Sequence, residues 1–330
     1  MRAVVVCAFG GIENATLGDR PKPEAKPGEI LLEVRATAVN FVDLVMMSGN
    51  YQFKPQLPFV PGKLPAGVVA AIGAGVSQFK VGEHAIAMAE QGGFAEFVTT
   101  PESQGIKLPQ SLPFDEAAAM SLVYDTAYFA LRDRARIEPG ETVLVLGATG
   151  GVGLAAIQLV KAMGGIAFAG VASMDKEATV RAAGADAVID LSVPDLKESL
   201  RAQMFAMTAD KGVDIVLDML GGDYFDAAIR ALAWRGRLVV IGFAAGRIPS
   251  LKANYLLVKN IEVSGMQISD YRKRRPSDMQ ACFREIFAWH AAGKLKPLPT
   301  KVYPIEQFAA AMAEIRDRNQ RGRIVLSQGK

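Results

Sequence analysis

The pattern of apolar and polar positions changes near residue 125, and this change divides the chain into two kinds of structure. Before that point, short apolar runs such as 30–36 and 67–73 are separated by turns rich in glycine and proline. Short strands at this spacing are typical of a small barrel-like or sandwich domain. The apolar run at 1–6 is too short for a signal peptide and is predicted to be the first of these strands.

After residue 125, continuous apolar runs alternate with stretches of helical pattern. Six predicted strands cover 142–146, 166–172, 187–190, 213–218, 237–241 and 261–265, and predicted helices include 152–163, 176–183 and 224–234. This alternation indicates a parallel α/β sheet, in which both faces of the strands are buried. Six such strands match a complete dinucleotide-binding fold, the doubly wound Rossmann sheet.

The chain leaves this pattern after residue 266. Helices are predicted at 277–292 and 305–318, followed by a final strand at 322–326. This tail is too short to form a domain alone, so we expect it to return to the N-terminal domain. The predicted division is 1–122 and 266–330 for a β-rich domain, with a Rossmann domain at 123–265 inserted between them.

Composition narrows the class of protein. The formal charge of +3 is too small to indicate a nucleic-acid partner. The two cysteines, Cys7 and Cys282, are far apart and indicate a reducing compartment rather than a disulfide framework. No apolar run approaches the roughly 18–20 residues that a membrane helix needs. We therefore expect a cytoplasmic enzyme or binding protein that does not interact with a membrane.

The sharpest local signal is the sequence GATGGVG at 147–153, between a predicted strand and a predicted helix. Glycines at such a junction permit a tight turn and let backbone amides approach a pyrophosphate at the positive end of the helix. The middle glycine of the usual G-x-G-x-x-G spacing is replaced by threonine, and a turn that only caps the helix is the alternative. The candidate cofactor-binding residues are Gly147, Thr149, Gly150, Gly151, Val152 and Gly153.

The end of the second predicted strand bears on which cofactor binds. NAD enzymes usually carry an acidic residue there that binds the ribose 2′-hydroxyl, but this chain has Ala172 and Ser173. Lys176 can meet a 2′-phosphate as a point charge, although it can also be an exposed lysine in a first helical turn. Asp175 either repels that phosphate or faces solvent. The pattern favours NADPH, with Ser173 and Lys176 as cofactor-binding residues.

Several separated motifs together resemble one family. They are AVNFVD at 38–43, GNY at 49–51, VPG at 60–62, GVV at 67–69, GGFAEF at 92–97, the glycine loop, GVDIVLD at 212–218, GFAAG at 242–246, KN at 259–260 and GKLKP at 293–297. Each is weak alone, but their order and spacing resemble the medium-chain dehydrogenase/reductase superfamily, in its quinone oxidoreductase branch that includes zeta-crystallin.

The resemblance implies a GroES-like catalytic domain built from the two chain ends, a Rossmann domain inserted between them, and a homodimer or homotetramer. Cofactor and substrate would meet in the cleft between the domains. Many members of the superfamily are zinc alcohol dehydrogenases. Here Asn40 or Phe41 stands where those enzymes have the catalytic cysteine, and Gly62-Lys63-Leu64 replaces their Gly-His-Glu segment. With two His and two Cys in the whole chain, no zinc site is expected.

The same resemblance implies roles for particular residues. Tyr51 matches a tyrosine that donates a proton or hydrogen bond to the enolate in related enoyl-thioester reductases, although it can also be a wall of the pocket. Asn40 could bind substrate or nicotinamide ribose, and Asp43 either contacts ligand or fixes local backbone. These three residues are the candidate catalytic residues.

Further cofactor contacts come from the resemblance alone. Thr126 would lie near the nicotinamide ribose, Phe243 and Ala244 near the nicotinamide, and Arg318 near the 2′-phosphate, unless it is a solvated arginine at a helix end. A tyrosine found near that phosphate in relatives is replaced by Leu191. The basic run at 272–275 could meet the phosphates of a coenzyme A thioester, but a solvated loop is the preferred interpretation.

Without zinc there is no Lewis acid to polarise an alcohol or aldehyde, which favours an acceptor that is already activated. The first hypothesis is NADPH-dependent reduction of a quinone. The second keeps the fold and reduces the C=C bond of an enone, alkenal or enoyl thioester. The third is a non-catalytic, NADPH-binding protein of the zeta-crystallin kind.

Overall fold

The computed structural model describes residues 1–320 and 322–329. The chain forms two compact units. The first holds residues 1–122, 269–284 and those from 297 onward, and the second holds 123–268 and 285–296.

The strands in chain order are β1 (Arg2–Val6), β2 (Ala15–Asp19), β3 (Glu29–Val39), β4 (Ala66–Ile72), β5 (His84–Ala87), β6 (Phe97–Pro101), β7 (Gly105–Lys107), β8 (Thr142–Leu146), β9 (Ile166–Val171), β10 (Ala187–Asp190), β11 (Val213–Asp218), β12 (Leu232–Val240), β13 (Glu262–Gly265), β14 (Thr300–Pro304) and β15 (Arg323–Ser327).

The α-helices are α1 (Phe41–Met47), α2 (Phe114–Met120), α3 (Val123–Phe129), α4 (Gly151–Ala162), α5 (Glu177–Ala182), α6 (Leu196–Met207), α7 (Gly222–Ala231), α8 (Asn254–Lys259), α9 (Ile268–Arg274), α10 (Pro276–Ala291) and α11 (Phe308–Arg316). None of the helices in the described residues is both long and apolar enough to cross a membrane.

The first unit is built around the long strand β3. Within the described residues its main sheet runs β14-β15-β3-β4-β5-β7, and β6 also pairs with β3. β15 lies antiparallel to β3, with Ile324 opposite Val39 and Ser327 opposite Ala36. Strands from both ends of the sequence therefore form one sheet, as the GroES-like part of the predicted fold class requires.

The second unit is a parallel sheet in the order β10-β9-β8-β11-β12-β13, counted over the described residues. Its central strands β8, β9 and β11 are almost completely buried, as is typical of a parallel sheet that helices cover on both faces. The order is that of the doubly wound dinucleotide-binding fold. The predicted fold class, a Rossmann sheet together with a GroES-like domain, is confirmed.

The predicted helix at 224–234 is wrong at its C-terminal end. α7 ends at Ala231, and β12 begins at once with Leu232, which pairs with Val213. The next pair in register joins Ile215 to Arg237, so residues 233–236 bulge out of the ladder. Trp234 lies in this bulge and is exposed. The helix was predicted to extend to residue 234 because the apolar side chain of Trp234 continues the helical pattern.

The prediction of a solvated loop for the basic run at 272–275 is also wrong in part. The first three of these residues belong to α9, and Arg272 is 1% exposed. The side chain of Arg272 is enclosed because it pairs with a partly buried acid, described below. Lys273 and Arg274 are exposed. Arg272 is buried because it pairs with an acid far away in sequence, and a local run of charges does not reveal such a pairing.

Candidate functional site

The glycine loop connects β8 to α4 at the carboxyl edge of the parallel sheet. Gly147 has φ +73°, a conformation that side chains rarely adopt. A Cβ on Gly153 would lie 2.4 Å from the carbonyl oxygen of Gly147 and 2.7 Å from Cα of Ala148. A Cβ on Gly150 would meet only the oxygen of Gly147, at 3.4 Å. Gly153 is therefore needed for close packing of helix on loop, whereas Gly150 leaves open space.

The start of α4 supplies the binding groups for an anion. Gly150 is the N-cap residue, and no side chain caps the helix there. The amides of Gly151, Val152 and Gly153 belong to the first turn, which has no intrahelical acceptors for them. They lie at the positive end of the helix dipole. Thr149, in the same turn, is partly buried. This arrangement is suited to a pyrophosphate, and the binding of one by these residues stays a prediction.

Two neighbouring strands bring further predicted residues to this edge. Asp218 at the end of β11 pairs in register with Leu146 on one side and Val240 on the other. The segments after these strands are therefore neighbours of the loop, and Ala244 donates its amide to the oxygen of Met219 at 3.0 Å. Phe243 is exposed beside this turn. Phe243, Ala244 and the glycine loop thus share one edge of the second unit.

The end of β9 carries both a cation and an acid. The hydroxyl of Ser173 donates a hydrogen bond to the carboxylate of Asp175, and both side chains are exposed. Lys176 follows in a single turn of 3₁₀ helix, Met174–Lys176, and is partly buried. Thr126 lies on α3, buried, with its amide bonded to the carboxylate of Asp125 at 2.7 Å. Their roles toward a cofactor remain predictions.

Arg318 belongs to the first unit, whereas Lys176 belongs to the second. It follows the C-terminus of α11 and has a left-handed backbone, with φ +56°. Its role toward a 2′-phosphate also remains a prediction.

Asn40 and Asp43 are both buried at the start of α1. Asp43 is 0% exposed, and its Oδ2 accepts a hydrogen bond from the amide of Asn40 at 2.8 Å. The Oδ1 of Asn40 accepts a bond from Arg323 at 2.7 Å, and its amide nitrogen donates to the oxygen of Ala38. The Oδ2 of Asp43 and the side chain of Asn40 are engaged within the unit, which favours a local positioning role over contact with substrate. Among the described residues, the buried Oδ1 of Asp43 has no hydrogen-bond partner.

Burial raises the pKa of Asp43 to about 6, against the opposing effects of its bond to Asn40 and of the nearby Lys63. This shift is a direct consequence of placing a carboxyl group where water cannot reach it.

Tyr51 is partly buried against the core of the first unit. The ammonium of Lys63 lies 5.2 Å from the centroid of its ring, within the range of a cation–π contact. Tyr51 was recognisable in the sequence by its GNY motif, whereas Lys63 was recognisable only as the replacement of a histidine. The structure places the two side by side.

Lys63 belongs to a buried cluster of charges. Glu90 accepts hydrogen bonds from Lys63 at 2.5 Å, from Arg272 at 3.0 Å and from the hydroxyl of Ser269 at 2.7 Å. Burial acts to raise the pKa of Glu90, but Arg272 and Lys63 outweigh it and lower the pKa to about 2. Lys63 is 2% exposed. The sequence contains one indication of this ion pair, a single lysine inside the apolar segment 59–69, because a lysine is rarely buried unless it is paired.

Two family models match the chain. The model described as "Alcohol dehydrogenase GroES-like domain" matches residues 26–110, and the model described as "Zinc-binding dehydrogenase" matches residues 151–287. "Quinone oxidoreductase-like protein 2" from Bos taurus is 34% identical over 93% of this chain and 87% of its own length. "Synaptic vesicle membrane protein VAT-1 homolog" from Rattus norvegicus is 33% identical over 100% of this chain and 84% of its length.

The chain belongs to the medium-chain dehydrogenase/reductase superfamily, in the quinone oxidoreductase branch. Its members are oxidoreductases, and solved structures agree. The quinone oxidoreductase of Pseudomonas syringae pv. Tomato DC3000 superposes with a TM-score of 0.92 at 30% identity, covering 99% of each chain. The quinone oxidoreductase of Escherichia coli, complexed with NADPH, has a TM-score of 0.91 at 27% identity and covers 99% of this chain and 100% of its own. The CurK enoyl reductase has a TM-score of 0.88 at 27% identity, covering 99% and 98%.

The name of one family model raises the question of zinc, and the donor chemistry here does not fit it. Zinc requires about three Cys, His or carboxylate ligands plus an open position. At the segment that would carry a ligand, this chain has Lys63, an ammonium, and the adjoining carboxylate of Glu90 already binds two cations. Across residues 1–320 and 322–329, no group of three or more His, Cys, Asp or Glu side chains is arranged to hold a metal.

Proposed function

We propose that this chain is an NADPH-dependent, zinc-independent oxidoreductase whose acceptor is a quinone. The proposal is supported by the quinone oxidoreductases among its relatives and by the NADPH bound in the structure from Escherichia coli. When bound, the reduced nicotinamide supplies a hydride from its C4 atom to the acceptor. Every other requirement of the reaction falls to the residues of the chain.

The second unit would hold the cofactor. The first-turn amides of α4 would bind the pyrophosphate, with Gly150 leaving the space that its oxygens need. Lys176 would bind the 2′-phosphate through its charge, and Thr126, Phe243 and Ala244 would lie toward the nicotinamide.

The choice of a quinone as acceptor is supported mainly by Lys63. Its buried ammonium stands where zinc-dependent relatives would need a metal ligand. With donor chemistry that does not suit a metal, the chain offers hydrogen-bond donors and positive charge instead. Such groups suffice for an acceptor that is already electron-poor, because they only need to stabilise an oxyanion as it forms. A quinone has this property, and the hydroquinone anion is further stabilised by aromaticity.

The test is an acceptor panel. Purified protein with NADPH is offered 1,4-benzoquinone, an enone and crotonyl-CoA, and oxidation of NADPH is followed by absorbance. The quinone should give the highest kcat/KM. If no acceptor is reduced although NADPH binds, the non-catalytic hypothesis replaces this one.

Reduction of a conjugated C=C bond is the second candidate, and Tyr51 is the observation that favours it. Tyr51 lies beside a buried cation, and an enoyl reductase is among the structural neighbours. An enolate lacks the aromatic stabilisation of a hydroquinone anion and gains more from a positioned donor. General acid catalysis of this kind is worth roughly 10²–10⁴-fold in rate.

Tyr51→Phe separates the two candidates, since it keeps the ring and its packing and removes only the hydroxyl. If C=C reduction is the real chemistry, kcat and kcat/KM on enones or enoyl thioesters should fall together, with a much smaller loss on quinones. Small and equal losses on both acceptor classes would make Tyr51 a pocket wall and leave quinone reduction as the better assignment.

A further inference from the structure

The fold fixes the ammonium of Lys63 with unusual backbone geometry on both sides. Gly62 has φ +91° and Leu64 has φ +50°, so the residues on both sides of Lys63 have left-handed backbones. A Cβ on Gly62 would meet the amide nitrogen of Phe94 at 2.6 Å. A left-handed leucine persists only where the surrounding structure enforces it. The position of Lys63, 5.2 Å from the ring centroid of Tyr51, is therefore imposed by the fold.

Lys63 keeps its ammonium charge where water hardly reaches it. Glu90 is a single carboxylate shared by Lys63 and Arg272, both nearly inaccessible to solvent. A buried positive charge favours the appearance of a negative charge nearby, because protein screens it less than water does.

We propose that Lys63 stabilises, through Tyr51, the negative charge that develops on the acceptor oxygen during hydride transfer. This rests on the proposed function. In that step the C4–H bond of NADPH breaks and a new bond to hydrogen forms at the acceptor, at the β-carbon of an enone or at one carbonyl oxygen of a quinone. The displaced π electron pair moves to the enone oxygen or to the second quinone oxygen. The nicotinamide is oxidised, the acceptor is reduced, and the oxygen then takes a proton from Tyr51 or from water.

Lys63 is accordingly a positioning residue, since it acts on the reaction through the tyrosine. Its effect must depend on how basic the acceptor oxygen becomes. The anion of a simple hydroquinone is weakly basic and needs little help, whereas methylated quinones and enones give progressively more basic oxyanions. Loss of the lysine charge should therefore slow the reaction more as the acceptor becomes less activated.

The experiment compares Lys63→Met, which removes the charge at nearly constant length, with Lys63→Arg, which keeps it. Lys107→Met is the matched control. Lys107 also pairs with a glutamate, Glu83, at 3.0 Å and lies 5.4 Å from the ring centroid of Phe79, but its side chain is 54% exposed. Each variant is assayed for kcat on 1,4-benzoquinone, tetramethylbenzoquinone and an enone, and for NADPH affinity and thermal melting.

For Lys63→Met, kcat on the least activated acceptor should fall by about tenfold or more, as for one charge acting across roughly 8 Å of partly screened protein. On 1,4-benzoquinone the loss should be smaller. NADPH affinity should not change, and Lys63→Arg should recover most of the rate. Lys107→Met should lower no rate selectively.

An equal loss on every acceptor, or a loss that Lys63→Arg does not recover, would overturn the proposal and leave Lys63 as a structural residue. If melting shows that Lys63→Met does not fold, Lys63→Gln, whose amide can still donate to Glu90, is held to the same outcomes. Failure of the proposed function gives a different result, because the wild-type protein would then oxidise no NADPH with any acceptor.

Discussion

Replacement of Gly150 or Gly153 by valine should abolish NADPH binding in both cases, but for different reasons. Both lie in the loop before α4 and its first turn, and neither has a positive φ that would strain a side chain. At Gly153 the new Cβ would meet backbone of the protein itself, whereas at Gly150 it would enter space that the protein leaves open. The pair therefore separates loss of packing from loss of ligand binding.

The magnitude follows from the distances. A Cβ at Gly153 would be 2.4 Å from the oxygen of Gly147, so loop and helix must separate by about 1 Å to reach ordinary van der Waals contact. Overpacking of this kind costs about 1–3 kcal/mol, and each kcal/mol lowers Tm by about 2–4 °C in a domain of roughly 150–250 residues. Gly150→Val should cost about 1 kcal/mol or less, from the less favourable N-cap residue.

The assay measures thermal melting without ligand and NADPH affinity by titration. Gly265→Val is the control, because a Cβ at that position in β13 would have nothing within 4 Å. Gly150→Val should melt close to the control and fail to bind NADPH. Gly153→Val should melt several degrees lower, with binding lost as a consequence. The reasoning is refuted if Gly153→Val melts like the control, or if Gly150→Val binds NADPH as the wild type does.

Lys176→Ala should weaken NADPH by about 1–3 kcal/mol, the range for a bond to a charged group, and leave NADH affinity unchanged; equal affinity of the wild type for both cofactors would contradict this. Chelation with EDTA or phenanthroline should not change activity, and stoichiometric zinc in metal analysis would overturn the mechanism. Because the pKa of Asp43 is raised from 3.8 to about 6, the folded protein binds more protons between these values, and stability contributed by this group falls as pH rises through them. The free energy of unfolding of Asp43→Asn should therefore exceed that of the wild type by up to about 3 kcal/mol above pH 6. Denaturant unfolding at pH 4 and pH 7.5 measures this difference. If the variant's advantage over the wild type is the same at both pH values, the pKa shift is absent.

What the sequence predicted well depends on local pattern. The strands of the Rossmann sheet are mainly apolar runs, and β8, β10 and β11 begin and end at the predicted residues. The glycine loop was also recognisable, since it stands directly between a predicted strand and a predicted helix. In these places every level of structure agrees with the local sequence.

The misses depend on contacts between distant residues. Leu232 leaves the helical pattern because it pairs with Val213, and no local feature marks this pairing. Glu90 lies 27 residues from Lys63 and 182 from Arg272 along the chain, so the charge cluster forms only on folding. The buried state of Asn40 and Asp43 likewise depends on Arg323, nearly 300 residues away in sequence.

The pairing of β15 with β3 has a consequence for how the chain folds during synthesis. Val39 and Ile324 are partners in one ladder, so that part of the sheet cannot close until residue 324 has left the ribosome. The parallel sheet lies entirely between these two strands in sequence and can form earlier. Until β15 arrives, one edge of β3 offers unpaired amides and carbonyls to other nascent chains. Contacts between residues so far apart in sequence also form slowly. The protein is therefore most exposed to aggregation and to capture by chaperones before β15 has paired with β3.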